Sequence, residues 1–173
     1  MIQSNENGLT LLELIVVIMI GSIIAAFGLP ALMDAYGNMR LRGTARDLYS
    51  TFQKGKSEAI RLNTNVVFSF TAGAYNLDGK VGSYQVFVDN GEGTGGVANN
   101  NVRDGSEEII ASVFMPSGVS LISAPTPKSF NSRGLPSGMG SIEIRNQTRW
   151  YKISLSIAGN LRMAMSTDGV TWN

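Results

Sequence analysis

From Leu9 to Leu29 the chain runs 21 residues with one charge, Glu13, and no Asn, Gln or Pro. As a helix at about 1.5 Å per residue this stretch spans about 31 Å, the hydrocarbon thickness of a bilayer. Such a run reads as membrane, and 173 residues are enough for one domain with a core in addition to it. A carboxylate at the centre of a spanning helix costs about 2.5–3.5 kcal/mol to insert. Glu13 sits one turn in, where the cost is smaller, but its presence still requires a reason.

A secretory signal peptide would need a basic n-region, a short apolar segment and a small-residue cleavage site. Residues 1–8, MIQSNENG, contain no Lys or Arg, and the apolar run is too long. A plain membrane anchor accounts for the hydrophobicity but not for Glu13 or the Gly8 junction. The remaining chain is enough for one domain with its own core. Net charge is +1 and pI about 8.0, so no global attraction to nucleic acid is built in. There is no Cys and no His, which removes thiolate nucleophiles, Ser-His triads and the commonest transition-metal ligands. An enzyme would have to work with carboxylates or lysine, and no convincing pair stands out. No cofactor is expected.

Gly8-Leu9-Thr10-Leu11-Leu12-Glu13-Leu14 resembles the processing motif of type IV pilin-like proteins. The resemblance implies cleavage by a prepilin peptidase between Gly8 and Leu9, methylation of the new amino terminus at Leu9, and a helix-bending role for Pro30. Glu13 is the fifth residue counted from Leu9, the place of the family's glutamate. Leu9 stands where the family usually has Phe, and the leader lacks the usual basic residue. Physical chemistry gives the motif a purpose. Cleavage creates an ammonium at Leu9, and in lipid an ammonium and a carboxylate each need a partner. A neighbouring subunit staggered by about one turn can supply it, so Glu13 is expected to act in fibre assembly.

Beyond Pro30 the pattern changes. Ala45, Leu48, Phe52, Gly55, Ala59 and Leu62 recur at spacings of three and four, one stripe of an amphipathic helix. One long helix, broken or bent near Pro30, is expected from Leu9 to about Leu62. After Asn63-Thr64-Asn65 the period becomes two. Strands are expected around Val66–Thr71, Tyr84–Val88, Ile109–Phe114, Val119–Ser123, Ser129–Asn131 and Ser141–Ile144, with a turn at Asp78-Gly79. A last hairpin sets Tyr151, Ile153, Leu155 and Ile157 on one face. It turns at Ala158-Gly159-Asn160 and returns through Leu161, Met163 and Met165, the two methionines as core filler. The fold class is therefore α+β. Residues 1–8 form a leader, 9–30 a transmembrane helix and 31–173 a head that is helical to about 62 and β-rich over 66–173.

Ala45–Leu48 (Ala-Arg-Asp-Leu) and Lys56-Ser57-Glu58-Ala59-Ile60 resemble the GspH/FimT branch of pseudopilins and minor pilins. So do Phe130-Asn131-Ser132-Arg133-Gly134 and Ser156-Ile157-Ala158-Gly159. Membership implies a pilin-like fold and a non-enzymatic minor subunit of a type II secretion pseudopilus, near its tip. The alternative is a FimT-type minor pilin that serves pilus assembly or DNA capture. Other pilins or pseudopilins are the implied partners, with residues 9–29 in the bacterial inner membrane and the head in the periplasm.

Two further groups invite chemistry. Asp89, Glu92, Asp104, Glu107 and Glu108 flank the Gly/Asn-rich stretch 90–104, whose spacing does not match a calcium loop; a solvated, flexible loop is expected. Arg145, Arg149, Lys152 and Arg162 lie near Trp150 and Tyr151, a combination that can grip phosphates and stack bases. Some FimT-type proteins bind DNA through a Gly-Arg-x-Arg stretch, but here Gly159-Asn160-Leu161-Arg162 lacks the first arginine. Nucleic acid is therefore a candidate partner but not the favoured one.

Overall fold

The computed structural model describes residues 10–77, 80–124 and 127–173. The Gly8–Leu9 bond, where cleavage is expected, and Asp78-Gly79, where a turn is expected, lie outside them. Among the described residues one helix, α1 (Leu11–Leu62), precedes eight strands: β1 (Asn65–Thr71), β2 (Ser83–Asp89), β3 (Ile109–Phe114), β4 (Ser120–Ser123), β5 (Lys128–Phe130), β6 (Gly140–Arg145), β7 (Trp150–Leu155) and β8 (Leu161–Ser166). The chain divides into two compact units, one up to Tyr36 and one from Gly37 to Asn173.

In the first unit, Thr10 caps the helix. Its hydroxyl accepts the Glu13 N–H at 3.2 Å and its carbonyl accepts the Leu14 N–H at 3.2 Å. The helix is not broken at Pro30, which lies inside it. Proline lacks the N–H that would bond to the Ala26 carbonyl, so one rung of the ladder is missing there while the helix continues. Large apolar side chains from Leu11 to Leu29 are exposed, Phe27 by 80%.

The second unit begins inside α1. Leu41, Ala45, Leu48, Phe52, Gly55 and Ala59 are buried, the expected stripe extended one turn earlier by Leu41. Asn63, at φ 52°, ends the helix in a left-handed residue. The Thr64 N–H bonds to the Ala59 carbonyl and the Asn63 N–H to that of Ile60, a Schellman closure that turns the chain into β1.

All named strand pairs are antiparallel. They form two four-stranded sheets, in orders β3-β2-β1-β5 and β4-β6-β7-β8. Inward residues of both sheets, Val66, Phe68, Val86 and Phe130 from one and Ile142, Ile144, Tyr151 and Ile153 from the other, join the helix stripe in a single core. Gly55 lets sheet and helix meet closely: a Cβ there would collide with the Phe68 ring. Two expectations about the last hairpin change. Met163 is 39% exposed rather than core filler, and Ile157 is 67% exposed. Ile157 falls beyond the end of β7, where the turn releases it from the inward face. Met163 keeps its inward parity, but β8 is an outer strand whose margin the core does not cover.

Candidate functional site

Glu13 stands on the exposed first turn of α1, three residues after its Thr10 cap, which is the spacing of a capping box. The residues around it, Leu11, Leu12, Leu14 and Ile15, are all exposed. By length and composition this is a helix able to cross a membrane, with a window of mean hydropathy 2.5 and none of that window buried within the protein.

Of the four basic residues singled out in the sequence, three share one sheet face and Arg149 does not. Arg145 lies between two rings, 4.5 Å from the centroid of Tyr75 and 4.2 Å from that of Trp150. Lys152 pairs with Glu143 at 3.1 Å and sits 3.9 Å over Trp172. Cross-strand pairing puts Glu143 opposite Lys152 and Ser154 opposite Arg162, so Arg145, Lys152 and Arg162 share the outward face. Arg149 instead lines a cleft beside α1 with Arg42 and Met163. Two of the four cations thus already spend their charge on rings or a carboxylate. Trp150 has Arg145 over its ring and is also approached by Gly169, where a Cβ would lie 3.3 Å away. That arrangement braces the sheet and leaves little open ring face for a base.

The 90–104 stretch is largely solvent-exposed, as its composition suggests, but its backbone is tied down by carboxylates. Asp89 is fully buried and accepts the N–H groups of Asn99 at 2.6 Å and Asn101 at 2.8 Å. Glu107 is 1% exposed and accepts those of Gly91 at 2.9 Å and Asp104 at 3.2 Å. Asp104 in turn holds the Val97 N–H and the Asn100 amide. Asp89 and Glu107 point inward at backbone amides while Glu92 and Glu108 are exposed, and among the described residues no group of three or more His, Cys, Asp or Glu is placed to hold a metal ion. Composition alone missed this because Gly and Asn mark both floppy loops and loops needing positive φ, which Asn99 and Asn101 adopt.

Two further contacts were not singled out in the sequence. Lys56 reaches from α1 to the Gly159 carbonyl at 3.3 Å, and Gly134 and Gly159, both at positive φ, pack against it. The Asn131–Gly134 and Ser156–Gly159 turns therefore close on one spot of the helix. Asn146, 6% exposed, receives the Thr148 and Arg149 N–H groups and donates to Asn38 on α1 at 2.9 Å. Near the last residues, Asp168 organises the 166–171 turn. Hydrogen bonds from the Thr171 and Ser166 hydroxyls, then from the Val170 and Thr171 N–H groups, hold its carboxyl well below the usual value of 3.8. A lowered folded-state value means that the turn is supported above pH 3.8 and loses that support only as pH falls through the depressed value. Asp168 should accordingly titrate below the other exposed carboxylates in an NMR pH titration, with the Val170 and Thr171 amides losing protection in step. Titration near 3.8 would remove this role.

A long helix, apolar and bare in its first half and packed on antiparallel sheets in its second, defines a pilin-like protein. The chain belongs to the family of the type II transport protein GspH, whose profile matches residues 44–159. The prokaryotic N-terminal methylation motif matches residues 3–29. Among solved structures it is similar to the type IV minor pilin FimU of Pseudomonas aeruginosa (strain PAO1), at 16% identity, 71% of this chain, 91% of that one and a TM-score of 0.48. It is similar as well to the minor pseudopilin EpsH from the type 2 secretion system of Vibrio cholerae, at 14% identity, 72% of this chain, 95% of that one and a TM-score of 0.47. No curated protein matches it in sequence.

Proposed function

We propose that the protein is a minor pseudopilin: a non-enzymatic subunit placed near the tip of a type II secretion pseudopilus, supporting protein export across the outer membrane. The observation that carries the reading is the match of the head to the GspH family downstream of a methylation motif. In this reading a prepilin peptidase cuts between Gly8 and Leu9 and Leu9 is methylated. Residues 9–29 hold the subunit in the inner membrane with its head in the periplasm until it joins other pseudopilins. The Pro30 gap in the helix ladder lets the apolar half adjust its direction as it packs among neighbouring helices.

The second reading, a minor pilin that captures DNA, would need Arg145, Arg149, Lys152 and Arg162 as phosphate contacts. The engagement of Arg145 and Lys152 and the separate position of Arg149 weigh against it. One experiment tests both the class and the fibre. Protein from cells with an active prepilin peptidase should show, by intact mass, loss of Met1–Gly8 and gain of one methyl group. Crosslinked partners should be secretion pseudopilins. An uncleaved amino terminus would sink the pilin-like role itself. Cleavage with pilus subunits as the crosslinked partners would move the protein to the second reading.

A further inference from the structure

Strand β8 is the outer strand of its sheet, and its register fixes which backbone groups face away from β7. At the hairpin the Ser156 N–H bonds to the Asn160 carbonyl, and Ser154, Lys152 and Trp150 then stand opposite Arg162, Ala164 and Ser166. In an antiparallel ladder bonded and non-bonded pairs alternate. The even-numbered residues of β8 therefore bond to β7, while Leu161, Met163 and Met165 turn their N–H and C=O groups outward. Met165 has a partner there: it exchanges both bonds with Asn173, at 2.9 and 3.0 Å. Among the described residues nothing bonds to the backbone groups of Leu161 or Met163. Such a row is a template for one more strand.

This edge opens onto two clefts beside α1 that share Met163. One, about 460 Å³, is lined by Met39, Arg42, Arg149 and Met165; the other, about 240 Å³, by Arg46, Tyr49 and Leu161. No Asp or Glu side chain lines either cleft. Among the described residues, neither ion pair involves Arg42, Arg46 or Arg149. The periods also agree. Arg42 and Arg46 are about 6 Å apart along the helix, and alternate residues of a strand are about 6.7 Å apart. Carboxylates at every second position of an added strand would meet Arg42 and Arg46 in turn.

We propose that the β8 edge and these clefts form a docking groove for an extended, acidic segment of another polypeptide, added as a fifth strand. Its main chain bonds to Met163 and Leu161, in the antiparallel direction already begun by Asn173. Its carboxylates reach Arg42 and Arg46, and Met39, Tyr49 and Met163 carry the stems. This stands on the geometry of one face of the head and holds whichever fibre contains the protein.

The test uses the full chain in detergent micelles, with a ten-residue peptide alternating Thr and Glu and its Thr/Lys counterpart. With the Glu peptide up to millimolar concentration, amide exchange at Leu161 and Met163 should slow at least tenfold, and with the Lys peptide it should not change. The double variant Arg42→Glu, Arg46→Glu should reverse the preference. Met163→Pro removes an outward N–H that β7 does not use, and should abolish slowing at Leu161 while Arg162 and Ala164 stay protected. No slowing by the Glu peptide, equal slowing by both peptides, or slowing indifferent to the charge reversal would each overturn the proposal. Binding that perturbs Met39 and Arg42 but leaves the Leu161 and Met163 amides unchanged would do so too, by placing the peptide in the cleft without strand pairing.

Discussion

Phe52→Ala is expected to destabilise the Gly37–Asn173 unit by about 3–5 kcal/mol. Phe52 is fully buried and lies stacked on Phe68, with centroids 4.3 Å apart and planes 11° apart, and meets Phe130 edge-on at 6.4 Å. It is the point where helix and first sheet interlock. The hole left by truncation is hard to close, because Gly55 already brings the Phe68 ring against the helix backbone and leaves no slack for the sheet to move inward. Against a total stability of about 5–15 kcal/mol, such a loss leaves the head marginal. Denaturant unfolding of the full chain in detergent, followed by tryptophan fluorescence from Trp150 and Trp172, measures it. Phe52→Leu should recover more than half of the loss. A cost below about 1 kcal/mol for Phe52→Ala would show that the ring is peripheral to the core.

The second large effect concerns Glu13, for which we propose a pairing with the Leu9 ammonium of a neighbouring subunit. Glu13→Ala keeps the backbone N–H that bonds to the Thr10 hydroxyl, so the start of the helix should persist. Membrane insertion should become easier, since a charge leaves an apolar helix. Docking should fail, because the neighbour's ammonium would be left without a partner in lipid. Removing one member of a buried pair costs about 3–5 kcal/mol, equivalent to two or more decades in incorporation. The readout is crosslinking to fibre subunits, with leader cleavage followed in parallel. Thr10→Ala is the control: it removes the cap but leaves the carboxylate, and should cost about 1 kcal/mol of helix stability. If Thr10→Ala impaired assembly as severely as Glu13→Ala, the pair would act as a capping box and not as an intersubunit contact. Normal assembly of Glu13→Ala would make Glu13 a passive residue.

Most of the architecture was legible from local pattern. The apolar run, the three-and-four stripe from Ala45 to Ala59 and the period-two segments each follow from burying one face of a regular element. Those elements appear within a residue or two of where the pattern places them. The candidate sites were less legible. Arg145, Arg149, Lys152 and Arg162 are near one another in sequence, yet strand parity and the turn at Asn146 send Arg149 to the helix side. Nothing local marks that Arg145 lies between Tyr75 and Trp150, because Tyr75 comes from a segment seventy residues earlier.

What the sequence by itself determined was the kind of molecule: a bare apolar helix behind a processing motif, then an amphipathic helix on a β-rich head. These are properties of periodicity and composition, readable wherever a single element decides which face is buried. What only the tertiary structure decided was the fate of the polar groups and the sheet margins. Asp89 and Glu107 read as solvated loop acids until the fold turned them inward onto four backbone amides. Met163 read as core until β8 became an outer strand. A carboxylate's partners and a strand's position in its sheet depend on chain segments far apart in sequence, and no local pattern encodes which of them will meet.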